Sequence, residues 1–324
     1  MTTSDTTTPA AEPLIDRARL RGIRAEQPSA IPQSLASRIR RPVIRGDGRL
    51  LIVAADHPAR GALAVGSDPA AMEDRYVLLE RLAIALARPG VDGVLGTPDI
   101  IDDLAALGLL DDKVIVGSMN RGGLRGASFE MDDRFTAYDV PTMVRSGIDF
   151  AKTLLRVNLD DAGTVATLES TARVVTQAAA AGLPIMLEPF ISRWSDGRVL
   201  NDLSTDAVVL SVAIASGLGA SSSHTWLKLP VVPDMERVMA ATSMPTLLLG
   251  GDSGADPDET FARWEDALSL PGVRGLTVGR TLLYPPDGDV AAAVDVAAAL
   301  VHPALGNLAA DTAVDTTVDT SVLP

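Results

Sequence analysis

Strand and helix patterns alternate eight times between residues 49 and 302, and this repeat allows very few folds. The strands are short apolar runs that end in polar or small residues, as residues 50–55 do before Asp56. The clearest helix has apolar residues at steps of three and four over residues 165–179, and Gly182 follows it. Eight units of roughly thirty residues predict an α/β chain folded as a TIM (β/α)8 barrel.

The remaining sequence forms an N-terminal extension and two tails. Residues 13–48 are rich in arginine and partly helical, and they either cap the bottom of the barrel or make an oligomer contact. Residues 1–12 and 303–324 have the composition of disordered tails. The alternative fold, an open doubly wound sheet, is disfavoured because no Gly-x-Gly-x-x-Gly follows the first strand.

The composition excludes several classes of partner and chemistry. A net charge of −14 argues against nucleic acid and anionic membranes as partners. No apolar run is long enough to span a membrane, and the N-terminus lacks the features of a signal peptide. The absence of cysteine excludes disulfides, thiolate nucleophiles and cysteine metal sites. We expect a cytoplasmic homo-oligomer that needs no cofactor and no metal.

Lysine is rare in this chain, and two of its three lysines lie in predicted strands. The sequence has 28 lysines and arginines, of which only Lys113, Lys152 and Lys228 are lysines. Lys113 opens a strand and is expected at a solvated edge, whereas Lys228 lies inside the apolar run 226–230. Burial lowers the pKa of an amine, and a neutral amine can attack a carbonyl to form a Schiff base. The structural alternative is a lysine that extends from the strand end to solvent.

Polar residues stand at the ends of four predicted strands. Asp56 and His57 follow the first strand, and Lys152, Glu188 and Lys228 lie on the fourth, fifth and sixth. The active sites of TIM barrels lie at the carboxyl ends of the strands, so we expect these side chains to meet in one pocket. A single acid or lysine there is explained by a structural ion pair. Two acids and two lysines on four strands indicate a catalytic site.

Glycines after the seventh and eighth strands predict a phosphate site. Glycine lets backbone N–H groups approach an oxyanion, and TIM barrels often bind phosphate with these two loops. The alternative is a tight turn with a surface arginine beside it. The loop 120–126, with Arg121 and Arg125, is either a site for a carboxylate or second phosphate or a solvated loop. The phosphate-site candidates are Gly250, Gly251, Gly279 and Arg280.

Four short motifs, in their order along the strands, resemble class I, Schiff-base-forming (β/α)8 aldolases. The resemblance covers residues 49–302 and is to the branch of deoxyribose-phosphate, archaeal-type fructose-bisphosphate and tagatose-bisphosphate aldolases. Within that branch the chain is most similar to an aldolase-like family found beside enzymes of inositol catabolism. The motifs are Lys152-Thr153-Leu154-Leu155, Leu187-Glu188-Pro189-Phe190, Leu227-Lys228-Leu229-Pro230 and Gly279-Arg280.

The resemblance implies a role for each strand-end residue. Lys228 would form the Schiff base, and Lys152 would lower its pKa as a neighbouring cation. Glu188 and Asp56 would transfer protons, and the glycines and Arg280 would hold a phosphate. The first-strand motif is Asp-His-Pro, where relatives more often have glycine or glutamine after the acid, so we expect His57 to contact substrate.

The implied activity is reversible aldol cleavage of a phosphorylated keto sugar or keto sugar acid. The preferred substrate on this resemblance is a deoxy-keto-phosphogluconate from inositol catabolism, which would give dihydroxyacetone phosphate. Two alternatives remain: a sugar-phosphate isomerase or epimerase that uses the acids as bases, and a catalytically silent sugar-phosphate-binding barrel. A zinc-dependent aldolase is disfavoured because it needs several histidine ligands and the chain has three histidines.

Overall fold

The computed structural model describes residues 14–119, 123–251 and 257–304. Over these residues, eight parallel strands close into a barrel, which confirms the predicted TIM barrel. The ring closes where the fourth strand pairs with the fifth, beginning at Ala151 opposite Ile185. The barrel strands are β1 (Leu50–Ala54), β2 (Gly93–Gly96), β3 (Val114–Ser118), β4 (Phe150–Val157), β5 (Ile185–Ser195), β7 (Thr225–Leu229), β8 (Thr246–Leu249) and β9 (Val273–Val278).

Helices follow the strands and cover the outside of the barrel. The longest, α6, ends at Gly182, whose φ of 65° is left-handed and suits glycine, as the sequence predicted. Its buried face includes three threonines, and Val165 at its first turn is exposed. No helix in the described ranges is long and apolar enough to cross a membrane. These helices are α3 (Arg75–Ala87), α4 (Pro98–Ala106), α5 (Val140–Arg145), α6 (Gly163–Ala181), α7 (Thr205–Ser216), α8 (Met235–Ala240), α9 (Pro257–Leu268), α10 (Arg280–Leu283) and α11 (Val290–Val301).

The hydrophobic core has an inner and an outer layer. Successive residues of a strand point to opposite faces, so Leu50 and Ile52 of β1 face the barrel axis while Leu51 and Val53 face the helices. The inner layer is apolar along most of its height and fills the barrel beneath the strand ends. It consists of Leu50, Ile52, Ala54, Leu95, Val114, Val116, Phe150, Met186 and Leu247.

The N-terminal extension lies across the amino ends of the strands. It contains α1 (Arg17–Glu26) and α2 (Ala30–Ser37), and arginines after α2 reach under the barrel. Arg38 forms a buried ion pair of 2.6 Å with Asp149, directly before β4, and Arg41 pairs with Asp92 at 2.5 Å, before β2. Both aspartates also accept hydrogen bonds from backbone amides of neighbouring strands. The extension thus closes the face opposite the strand ends that carry the candidate site.

A β-hairpin at the carboxyl end of the barrel was missed by the sequence analysis. The predicted fifth strand ended at Pro189, whereas β5 continues to Ser195 and pairs antiparallel with β6 (Arg198–Asp202). Asp196 and Gly197 form the turn, with φ values of 50° and 73°. An Asp-Gly pair between two strand-like runs is a hairpin signal that could have revealed it. The hairpin extends beyond the barrel on the side where the strands end.

Candidate active site

A cavity of about 900 Å³ opens at the carboxyl ends of the barrel strands. Its walls come from the segments that follow β1, β3, β8 and β9 and from the hairpin, so most of the barrel contributes to one pocket. Six arginines and Lys228 line it, against the two acids Glu130 and Glu188. In a chain with a net charge of −14, this concentration of positive charge indicates an anionic ligand.

Two lysines and two acids form a continuous chain of ion pairs at the floor of the cavity. Glu188 accepts from Lys228 through Oε1 at 2.9 Å and pairs with Lys152 through Oε2 at 2.6 Å. The Nζ of Lys152 also donates to Oδ2 of Asp56 at 3.0 Å. The structure therefore brings together these four predicted residues, which come from β4, β5, β7 and the end of β1.

The two lysines differ in their partners and in their access to the cavity. Lys152 contacts two carboxylates, whereas Lys228 contacts one and lines the cavity wall. Burial lowers the pKa of Lys228, and the positive charge of Lys152 adds to this effect, so the pKa lies below the ordinary value for lysine. Burial also acts on Lys152, but the charges of Asp56 and Glu188 outweigh it and raise its pKa. Lys228 is thus the more readily deprotonated amine.

Both acids are ionised in this arrangement. Burial alone would raise the pKa of Glu188, but Lys152 and Lys228 more than compensate and lower it to about 2. The pKa of Asp56 is likewise lowered because Lys152 and other nearby cations outweigh its burial. Each carboxylate can therefore accept a proton during a reaction only after a neighbouring positive charge moves or is neutralised.

His57 lies beside this series of ion pairs, and one of its ring nitrogens has no hydrogen-bond partner among the described residues. This atom, Nδ1, is buried and lies 3.9 Å from Oδ1 of Asp56. Burial lowers the pKa of His57 to about 3, and the positive charges of Arg280 and Lys228 act in the same direction. The imidazole is neutral near pH 7, so it can both donate and accept hydrogen bonds at the cavity wall.

The predicted phosphate-site residues line the cavity, but two of the glycines are also needed for packing. A Cβ on Gly250 would lie 2.5 Å from Cγ1 of Val278, and a Cβ on Gly279 would lie 2.4 Å from the carbonyl oxygen of Ala54. Gly251 differs, because no atom of the described residues lies within 4 Å of a Cβ placed there and its φ of 72° favours glycine. It also lines the cavity. Arg280, which follows Gly279, lines the cavity and donates to a backbone carbonyl at 3.3 Å.

Several polar residues of the site were missed by the sequence analysis, and two of them directly follow predicted strands. Ser118, the last residue of β3, donates to Oδ2 of Asp56 at 3.1 Å. Arg156, near the end of β4, lines the cavity and forms buried ion pairs with Glu130 and Asp133. Each lies just beyond the point where the apolar run was judged to end, and a search for polar residues one step further would have found both. The predicted site residue Arg121 lies outside the described residues.

The three histidines lie apart from one another. His57 lies at the cavity, and His224 is hydrogen-bonded to Ser223 just before β7. His302 follows α11 and contacts Asp47 and Asp92 at the opposite end of the barrel. Among residues 14–119, 123–251 and 257–304, no group of three or more histidine or acidic side chains is arranged to hold a metal ion.

Comparison with solved structures relates this architecture to aldolases. A Schiff-base-forming fructose-1,6-bisphosphate aldolase, solved to analyse its reaction intermediates, aligns with a TM-score of 0.59 and 20% identity over 84% of this chain and 100% of its own. An archaeal fructose-1,6-bisphosphate aldolase, with its catalytic lysine bound to the carbinolamine intermediate, aligns with a TM-score of 0.58 and 18% identity over 84% of this chain and 99% of its own. At these identities the comparison shows the shared fold.

A much stronger similarity is to Cgl0159 from Corynebacterium glutamicum, a structural-genomics target with a crystal structure. The two chains are 69% identical and superpose with a TM-score of 0.88 over 90% of this chain and 99% of the other. The comparison with curated proteins gives no match. The family model described as Cgl0159-like matches residues 48–298, which include the whole barrel. The chain therefore belongs to the Cgl0159-like family.

Proposed function

We propose that this protein is a class I aldolase in which Lys228 forms a Schiff base with a ketone substrate. The observation that carries the proposal is the pairing of two buried lysines through one carboxylate, Glu188, with only Lys228 at the cavity wall. Burial and the charge of Lys152 favour the neutral, nucleophilic form of the Lys228 amine. The similarity of the fold to Schiff-base-forming aldolases adds support.

The neighbouring groups supply the proton transfers that this chemistry needs. The neutral amine of Lys228 adds to the ketone carbon, and loss of water from the carbinolamine gives a protonated imine. A base then takes the proton of the substrate hydroxyl, the adjacent carbon–carbon bond breaks, and its electron pair passes to the imine as an enamine. Release of the aldehyde, protonation of the enamine carbon and hydrolysis restore Lys228. Glu188 and Asp56 are the candidate proton carriers, and the neutral His57 can bond a substrate hydroxyl.

The charge of the cavity supports a phosphorylated keto sugar or keto sugar acid as the substrate. Lining arginines and Gly251 at the cavity wall suit anionic groups, and the cavity volume of about 900 Å³ is ample for a sugar phosphate. On the sequence resemblance alone, a deoxy-keto-phosphogluconate of inositol catabolism, cleaved to give dihydroxyacetone phosphate, is our preferred substrate.

Borohydride trapping tests the covalent step. The protein is incubated with dihydroxyacetone phosphate, reduced with sodium borohydride and mapped by peptide mass spectrometry, and we expect one adduct on Lys228. Lys228→Arg keeps the charge but should abolish the adduct and turnover, because arginine cannot act as the amine nucleophile. Lys113→Arg is the matched control, since burial also lowers the pKa of Lys113 but its Nζ donates to the carbonyl of Val91, away from the cavity.

The other outcomes distinguish the alternatives. An adduct on Lys152 would exchange the roles of the two lysines. Binding of the ligand without any adduct would reject the aldolase and favour either a sugar-phosphate isomerase or a silent binding protein. Retained turnover in Lys228→Arg would also refute the scheme.

A further inference from the structure

Two arginines of the cavity wall, Arg60 and Arg125, form no ion pair with an acid among the described residues. Outside the cavity, arginines such as Arg38, Arg88 and Arg237 form ion pairs with aspartates. Arg60 and Arg125 line the cavity, and among the described residues their guanidinium groups form neither an ion pair nor a hydrogen bond. Unpaired guanidinium groups that share a concave wall are available to bind a carboxylate or a phosphate.

The two arginines are joined through their backbones. Arg60 ends the short 3₁₀ turn after β1, and the amide of Arg125 donates to its carbonyl oxygen at 2.9 Å. The segment after β3 is therefore attached to the segment after β1. Burial raises the pKa of Asp133, and two carboxylates raise that of Lys152; the charge of Arg60 opposes both shifts, so Arg60 lies within electrostatic range of the two groups. The glycines of the predicted phosphate site follow β8 and β9 instead.

A buried arginine holds this wall in place. Arg156 forms a forked pair with Asp133, with Nε at 2.9 Å from Oδ2 and Nη2 at 2.7 Å from Oδ1, and its Nη1 donates to Glu130 at 3.1 Å. Glu130 in turn accepts the backbone amide of Gly126 at 2.7 Å, directly after Arg125. Its carboxylate is thereby ion-paired with Arg156, and the structure shows no ion pair between Glu130 and Arg125. The arrangement fixes the backbone of residues 123–133 as a wall of the cavity.

Close packing at the start of this segment supports a fixed conformation. A Cβ on Gly123 would lie 2.1 Å from the carbonyl oxygen of Glu130 and 2.2 Å from Nη2 of Arg156. Arg156 Nη2 also reaches the carbonyl of Gly123 at 3.4 Å. Only glycine fits at position 123, between the guanidinium of Arg156 and the carbonyl of Glu130, so this position depends on the buried arginine.

We infer that Arg60 and Arg125 form a second anion-binding site, with Arg156 as the positioning residue that holds it. The inference rests on the proposed function: one substrate end, a phosphate, lies at the glycines after β8 and β9, and the other end carries a carboxylate or phosphate that binds Arg60 and Arg125. The substrate is thus anionic at both ends, and the carbonyl between them faces Lys228.

Affinities for polyols that lack a carbonyl group test this site independently of the Schiff base. Calorimetry compares hexitol 1,6-bisphosphate with hexitol 6-phosphate, and we expect the bisphosphate to bind at least about tenfold more tightly, as charge-assisted hydrogen bonds to arginine warrant. In Arg60→Gln and in Arg125→Gln, the affinities for the bisphosphate and the monophosphate should become nearly equal. Gluconate 6-phosphate carries a carboxylate in place of the second phosphate and so distinguishes the two anions. If it binds as tightly as the bisphosphate, the site also accepts carboxylates. If the bisphosphate binds tightly but gluconate 6-phosphate binds only as weakly as the monophosphate, the site accepts phosphate alone.

A matched variant separates a specific site from the general charge of the cavity. Arg263→Gln removes the same charge from the cavity wall but from α9, and it should leave the bisphosphate-to-monophosphate ratio unchanged. Arg156→Lys keeps a positive charge but cannot form the forked pair with Asp133. It should therefore lower the preference for the bisphosphate over the monophosphate, as Arg125→Gln does. If this variant fails to fold, judged by circular dichroism, the Arg60 and Arg125 variants still decide the question.

Two results would overturn the inference. One is equal affinity of the unmodified protein for the monophosphate, the bisphosphate and gluconate 6-phosphate. The other is an Arg263→Gln variant that loses the ratio as fully as Arg125→Gln. Neither result bears on the borohydride adduct at Lys228, so the second anion site can fail while the aldolase proposal stands, and the reverse also holds.

Discussion

Replacing Glu188 with glutamine should destabilise the protein, because this carboxylate joins the two buried lysines. Its pKa falls from 4.5 to about 2 on folding. At 1.36 kcal/mol per pKa unit, the ionised form contributes about 3 kcal/mol to the free energy of unfolding. Since the folded pKa is the lower one, this stability is present above pH 4.5 and is lost as the pH falls towards 2. Glu188→Gln has nearly the same shape and should be about 3 kcal/mol less stable at pH 7.

Urea unfolding followed by circular dichroism measures this difference. The loss should be nearly the same at pH 7 and pH 5.5 and should be smaller at pH 4, where Glu188 is mostly protonated in the unfolded chain. Glu169→Gln is the control: its carboxylate pairs with Arg173 at 2.6 Å, but both side chains are exposed, so the loss should be below about 0.5 kcal/mol. Equal stabilities of the Glu188 and Glu169 variants would refute the argument.

Two further predictions concern the packing of the barrel. His302 forms a hydrogen bond of 2.9 Å with Asp92 beneath the barrel. Burial lowers the pKa of His302, but its two aspartate partners outweigh burial and raise it. The protonated imidazole therefore stabilises the fold below about pH 6.5, and this stability is lost as the pH rises through the folded pKa. His302→Gln should therefore cost roughly 1 kcal/mol at pH 6 and less at pH 9, measured by urea unfolding. Gly279→Ala should lower the melting temperature more than Gly251→Ala, because its Cβ would collide with the Ala54 carbonyl, whereas Gly251 meets only the penalty of about 1–2 kcal/mol for a left-handed residue.

The fold could be predicted because most residues of the barrel strands are buried on both faces of the sheet. Such strands are largely apolar runs, as Leu50–Ala54 and Thr246–Leu249 are, and a helix separates most of them from the next. The same rule fails at the hairpin, where β5 leaves the barrel and becomes exposed at Arg193. The prediction stopped at Pro189, although Phe190 and Ser192 are still buried, and the strand continues as an exposed hairpin arm from Arg193.

The site could be predicted only as far as the strand ends. The barrel brings these ends together, so Asp56, Glu188 and Lys228 meet although they are far apart in the chain. Which lysine bonds to which acid depends on the stagger of the strands and cannot be read from the sequence. The role of Gly250 could not be assigned from the sequence either. Glycine would be required there both to avoid a collision with Val278 and to let a phosphate approach the backbone.

The charge of Lys152 should set the pH at which Lys228 becomes reactive. In Lys152→Met a neighbouring cation is lost, while Glu188 and Asp56 remain to stabilise the protonated Lys228, so both effects raise the pKa of Lys228. The pH profile of the borohydride-trapping rate should then move up by at least about one unit, the usual effect of a close charge. Lys152→Arg restores the charge and should bring the profile back, which a purely structural role would not require. Thermal unfolding at each pH verifies that the variants are folded. If the Lys152→Met profile coincides with that of the unmodified protein, Lys152 does not tune the nucleophile, and the low pKa of Lys228 must come from burial alone.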